Sequence, residues 1–137
     1  MTADIVVTAA KVASQEETVT RSYIAAVALT AGNAVYCLTA GTVGKCESGT
    51  AAPVRTFFGI ALDTVGAGTA VRVAHEGIVE GFDVSGSNAG ALMYTSATGG
   101  AVSDATTGAD CKVGKVIGRP DGSKVIWFKT NWLANIA

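Results

Sequence analysis

The one histidine of the chain, His75, stands beside Glu76, and with Asp63 and Asp83 it makes up the small stock of groups from which an acid–base site would have to be built. An imidazole and a carboxylate within hydrogen-bond reach can pass a proton near neutral pH. Here the histidine falls in His75-Glu76-Gly77, a short polar link between two apolar runs, so a solvated turn position is expected and no catalytic residue is assigned. Serines are numerous, but none sits in a Gly-x-Ser-x-Gly elbow that would raise a nucleophile toward a base. Cys37, Cys46 and Cys111 are odd in number, lack Cys-x-x-Cys spacing and lie in apolar contexts. They read as small buried hydrophobes of a reducing cytoplasm. Nothing groups them with the histidine or the acids, so neither a metal nor a cofactor is expected. Gly66-Ala67-Gly68 and Gly99-Gly100 lack the Gly-Lys-Ser/Thr ending of a phosphate loop and read as hairpin turns.

The 137 residues suit one domain. Hydrophobic residues make up 49% and charged residues only 15%, against a usual charged share of about 25%. The apolar surplus has to be hidden in a core or against neighbours. The net charge is −1 and the cations are scattered singly, so the positive field that a phosphate backbone requires is missing and no direct nucleic-acid partner is expected. The first dozen residues lack a basic n-region, and no run approaches the roughly 18 apolar residues of a membrane span, so a soluble chain without a secretory signal is expected.

The elements that would position these groups are strands. Glycine occurs 17 times, between short runs rich in Val, Ile, Thr and aromatic residues, which is the punctuation of many short strands joined by tight turns. Strands are predicted at 5–8, 19–24, 34–38, 57–63, 70–75, 77–82, 92–95, 112–118 and 124–129, with a hairpin at His75-Glu76-Gly77 and an exposed loop at 103–110. Lys112, Lys115 and Lys124 alternate with apolar residues and should face solvent.

Three pairs of segments echo each other. Ala31-Gly32-Asn33-Ala34-Val35-Tyr36 parallels Ala89-Gly90-Ala91-Leu92-Met93-Tyr94, Phe58-Gly59-Ile60-Ala61-Leu62 parallels Val113-Gly114-Lys115-Val116-Ile117, and Gly68-Thr69-Ala70-Val71-Arg72-Val73 parallels Gly122-Ser123-Lys124-Val125-Ile126-Trp127. The expectation is an all-β barrel or sandwich in which two similar β-units share one core. Trp127 is placed in that core. Residues 1–20 fall outside the echo and read as an extended N-terminal arm, leaving 21–137 as the single β-domain, with an ordinary first strand of that domain as the alternative. An extended arm can add a strand to a neighbouring sheet, so Ile5, Val6 and Val7 are candidate partner contacts. Trp132 and Leu133, beyond the last strand, are candidates for a subunit contact or a lid.

The run Leu29-Thr30-Ala31-Gly32-Asn33-Ala34-Val35-Tyr36, then Phe58-Gly59-Ile60-Ala61-Leu62, Gly66-Ala67-Gly68-Thr69-Ala70-Val71-Arg72-Val73, Glu76-Gly77-Ile78-Val79 and Val113-Gly114-Lys115-Val116-Ile117-Gly118 resembles the head-decoration, or capsid cement, proteins of tailed phages. The likeness covers about residues 25–129. It implies a compact β-domain made in the host cytoplasm that attaches to the exterior of an expanded capsid and reinforces it. The partners implied are the major capsid protein and further copies of the chain, as a homotrimer in preference to a dimer. It implies no catalytic residue. A carbohydrate- or ligand-binding β-module of a phage fibre or surface protein is the alternative, marked by Tyr36, Tyr94 or Trp132 lining a groove. A small barrel enzyme would instead bring His75, Glu76, Asp63 and Asp83 together in a cleft.

Overall fold

The structure, a computed structural model, describes residues 4–14, 18–38, 41–47, 56–96, 98–104 and 111–129. Among these the chain is all-β, with one short 3-10 turn at Ala9–Lys11. The strands are β1 (Ala13–Ser14), β2 (Val19–Ala25), β3 (Ala34–Cys37), β4 (Thr42–Lys45), β5 (Gly59–Ala61), β6 (Ala70–Glu80), β7 (Leu92–Thr95), β8 (Val102–Ser103), β9 (Lys112–Gly118) and β10 (Lys124–Lys129). All pairings are antiparallel except β2 with β4.

The long strand β6 organises the molecule. Its first half has β2 on one edge and β5 on the other, since Ala74 is opposite both Thr20 and Ile60. Its second half has β1 and β10 in the same two positions, since Val79 is opposite both Ser14 and Ile126. The first unit runs β2-β4-β3-β5-β6 and closes as β6 returns to β2. The second runs β6-β10-β9-β7-β8. Residues 4–14 close it, through bridges from Asp4 to Ser103 and Val7 to Phe82 and then β1 on β6. Closure of this kind removes open sheet edges.

Two expectations change here. The hairpin placed at His75-Glu76-Gly77 does not form, because β6 runs straight through it. Gly77 is needed for a different reason: its φ is 126°, and a Cβ there would sit 2.6 Å from Thr18 Oγ1, so the glycine admits a crossing neighbour rather than a turn. The arm boundary at residue 20 likewise has no counterpart among the described residues. Asp4 Oδ1 accepts from Ser96 Oγ at 2.5 Å, and the Ile5 amide donates to Val102 O at 2.7 Å. Further along, the Asp83 amide donates to Val6 O and the Thr8 amide to Gly81 O, both at 2.9 Å. The segment's backbone is spent on its own domain, where water would otherwise have to satisfy it.

The internal echo has a structural basis. Gly32 donates to Ala61 O and Ala61 to Asn33 O, while Gly90 donates to Val116 O and Val116 to Ala91 O. β3 meets β5 as β7 meets β9, with Val35 opposite Gly59 and Met93 opposite Gly114. The third echo is shifted by one residue from the sequence match. Ala61 is opposite Val73 and Val116 opposite Ile126, so Val73 corresponds to Ile126 and Ala74 to Trp127. A slip of one residue exchanges the faces of a strand. Trp127, expected inside, is therefore 41% exposed, and Phe128 takes the buried position.

The shared core is likewise two clusters. Val35, Val43, Ala61, Val71 and Val73 pack with Ala25 and Leu29 inside the first unit. Met93, Val102, Val113, Val116, Ile126 and Phe128 fill the second, and Ala34, Ile60 and Ala74 face the same cluster from the first unit's sheet. β5 is buried on both faces, which is why its Phe-Gly-Ile-Ala-Leu run is continuously apolar.

Candidate functional site

The candidate acid–base groups do not converge. His75 lies within β6, half-buried, with Phe58 O 2.8 Å from Nδ1 and the Tyr23 hydroxyl 2.9 Å from Nε2. A carbonyl only accepts, so Nδ1 carries the proton and, in the neutral ring, Nε2 accepts from Tyr23. Phe58 and Tyr23 meet the imidazole edge-on at centroid distances of 4.5 and 5.5 Å, leaving it a structural bracket between β2, β6 and the residue that leads into β5. Glu76 pairs with Lys129 at 3.8 Å, and Asp83 accepts from the Ser85 amide and hydroxyl.

Asp63 is held by Arg72, whose Nη2 is 2.7 Å from Oδ1 and whose backbone amide is 2.9 Å from Oδ2. The Arg72 hydrogen bonds hold the Asp63 carboxyl below the usual aspartate range. A carboxyl depressed in the folded state stabilises above its unfolded pKa, and that contribution is lost as pH falls through the folded value. Both side chains are partly solvated, so screening limits the effect. Asp63→Asn should cost at most about 1 kcal/mol at neutral pH, with the gap to wild type closing in acid. Urea unfolding of both proteins along a pH series checks this, and a gap that persists unchanged into strong acid would contradict it.

Cys46 and Cys111 are buried in the larger cluster. Burial pushes the Cys46 thiol far up, and the neighbouring Cys111 adds to the effect, so neither nucleophilic attack nor metal binding is favoured there. Among the described residues no group of three or more His, Cys, Asp or Glu side chains could hold a metal ion. No described helix is long and apolar enough to cross a membrane.

The candidate contact residues separate. Ile5 and Val7 pack against the larger cluster, whereas Val6 is 67% exposed. Trp132 and Leu133 lie outside the described residues. Tyr36 lines an open groove of about 570 Å³ with Val27, Leu38, Lys45 and Glu47. Tyr94, its counterpart in the second unit, is half-buried beside β8.

The apolar surface that sequence reasoning missed lies on the outer side of the second unit. Trp127 is directly opposite Ile78 on one side and Lys115 on the other, and Lys115 is opposite Leu92. Residues so paired share a face. The row Ile78, Trp127, Lys115, Leu92 thus crosses four strands, with Leu92 42% exposed and Ile78 half-buried. The signal was present in Val125-Ile126-Trp127-Phe128, but four apolar residues in succession do not say which pair faces out. Ile24 and Val27 form a further exposed apolar pair on the first unit.

No protein-family profile matches the chain, and neither the curated proteins nor the solved structures contain a match to it.

Proposed function

We propose that this chain is a structural protein that binds the outer surface of a phage capsid and stabilises the expanded shell by bridging subunits of the major capsid protein. One observation carries the reading: two closed β-units are fused through β6, and each displays large apolar side chains to solvent, Ile24 and Val27 on the first and Trp127 and Leu92 on the second. A molecule with separate sticky faces suits a lattice, where several weak contacts act together because each raises the effective concentration for the next. The candidate acid–base groups support it too, since Asp63 and Glu76 are held in ion pairs, Asp83 in a turn and His75 between Tyr23 and Phe58 O, rather than gathered in a cleft. The capsid itself rests on the resemblance of the sequence to cement proteins.

Purified protein mixed with expanded shells that lack it should co-sediment with them and raise their resistance to heat or chelator. Absence of binding to any mature shell would remove the capsid assignment. The Tyr36 groove favours a second reading, a small-ligand or carbohydrate module, because its size is that of a ligand site and an aromatic ring lines it. Saturable binding of a glycan, abolished by Tyr36→Ala while shells are ignored, would select that reading instead.

A further inference from the structure

Closure of the first unit leaves one edge bare, and the duplication shows what kind of element belongs there. β2 meets β4 over two residue pairs only, Ile24 with Thr42 and Ala25 with Val43. Val19–Ser22 runs on alongside β6 with its side chains exposed on both faces, and no described strand pairs with its outer edge. The Ala25 amide donates to Thr69 O and the Gly68 amide to Ala25 O, so Ala25 turns its backbone groups toward the β6 side. Strand backbones alternate in this respect. Thr20 and Ser22 therefore direct their N–H and C=O groups away from β6, where no described residue receives them.

The second unit has the same edge, and there it is covered. Arg21 is opposite Val73 and Val79 is opposite Ile126, so Arg21 and Val79 are counterparts, as are Thr20 and Ile78 and, one residue further, Ser22 and Glu80. Ser14 lies opposite Val79, Ala13 lies opposite Glu80, and the Thr8 amide donates to Gly81 O. An extended segment, antiparallel to β6 at β1, thus fills in the second unit the place that is empty beside β2. That segment cannot serve twice, since its Ile5, Val7 and Val12 are packed against the larger cluster. A second copy offering its own β2 fits badly. The one antiparallel register that engages Thr20 and Ser22 of both copies sets Arg21 directly opposite Arg21, and like charges so placed repel. Arg21 is exposed and, among the described residues, makes no ion pair. The strand that fits comes from a different protein and carries an acidic side chain beside Arg21.

We propose that the outer edge of β2 at Thr20–Ser22 takes up an extended, acid-bearing segment of the shell subunit as an added antiparallel strand. This contact rests on the capsid reading and gives it a place and a chemistry. Ser22→Pro tests it. The ring removes an N–H that faces away from β6, so no bond of the existing ladder is lost, and proline is tolerated on such an edge. The variant should melt close to wild type, yet bind expanded shells at least about 10-fold more weakly in a co-sedimentation titration, because a strand cannot pair through the ring. Arg21→Glu should weaken binding by roughly 3-fold through repulsion of the acid. Hydrogen exchange should show the Thr20 and Ser22 amides open in the free protein and protected on shells. If Ser22→Pro unfolds, Arg21→Glu and the amide protection decide. Shell binding that both substitutions leave unchanged, or Thr20 and Ser22 amides that exchange as fast on shells as off them, overturns the added strand. Protection of these amides in a shell-free dimer assigns the edge to a second copy and overturns it too. A wild-type protein that binds no shell removes the capsid reading and the strand together, whereas shell binding that leaves this edge open removes the strand alone.

Discussion

Removal of residues 1–12 is expected to cost several kcal/mol of stability and to leave a partly or wholly unfolded protein at 37 °C. Ile5, Val7 and Val12 are packed against the larger cluster. Burying an aliphatic side chain fully stabilises by about 1.5–3 kcal/mol, so three half-buried ones contribute roughly 3–4 kcal/mol. Their loss would also strip partners from Val102 O, Gly81 O and the Asp83 amide, and would open an edge of β6 beside β1. Domains of this size have a net stability of only about 5–15 kcal/mol, so the deletion takes a large share. Urea unfolding followed by tryptophan fluorescence measures it, with a lower midpoint expected. An unchanged midpoint combined with lost partner binding would restore the free-arm reading of residues 1–20.

That prediction treats residues 4–14 as part of the domain and not as an arm free of it, and the reason the sequence alone does not decide between the two is physical. Ile5-Val6-Val7 has the composition of a strand, but nothing local says whether its partner lies in the same chain or in another. The same limit applies at His75-Glu76-Gly77, where two apolar runs joined by a short polar link fit a hairpin and a single long strand equally well. Only Thr18 crossing over Gly77 decides between them. β4 and β8 escaped notice because Thr42–Lys45 carries Gly44 at its centre and Val102–Ser103 is two residues long, too little for a period to register.

What was legible came from patterns that repeat. The echoed strand pairs β3 with β5 and β7 with β9, the glycine turns at 66–68 and 99–100 and the outward lysines Lys112 and Lys115 could be read from the chain. The face of the last strand could not, since its register is fixed by β9 across from it and not by its own four apolar residues. Trp127 fell on the wrong side for that reason, and with it went the most exposed aromatic surface among the described residues.

Gly114→Ala should be among the most damaging single substitutions in the protein. Gly59 in β5 and Gly114 in β9 are counterparts, each pressed against the strand that follows in the sheet. A Cβ on Gly59 would sit 2.6 Å from Ala74 O, and one on Gly114 would overlap the backbone of Trp127, counterpart of Ala74, and touch Phe128 Cα at 3.0 Å. A flexible side chain can swing aside at small cost, but these are main-chain atoms of β10, held in register with β9 by five residue pairs. Relief requires β10 to move, and that displaces Phe128 from the cluster where it packs against Phe57 and Phe82. Overpacking alone costs about 1–3 kcal/mol, and a shift of backbone raises it, so a loss of at least roughly 3 kcal/mol is expected. Gly118→Ala is the control within the same strand: nothing lies within 4 Å of its Cβ position, and a change within about 0.5 kcal/mol is expected. Thermal melting of the two variants beside wild type decides the matter. If Gly114→Ala melts with Gly118→Ala, the close approach of β9 and β10 is wrong, and the correspondence of Ala74 with Trp127 that locates the bare edge of β2 goes with it.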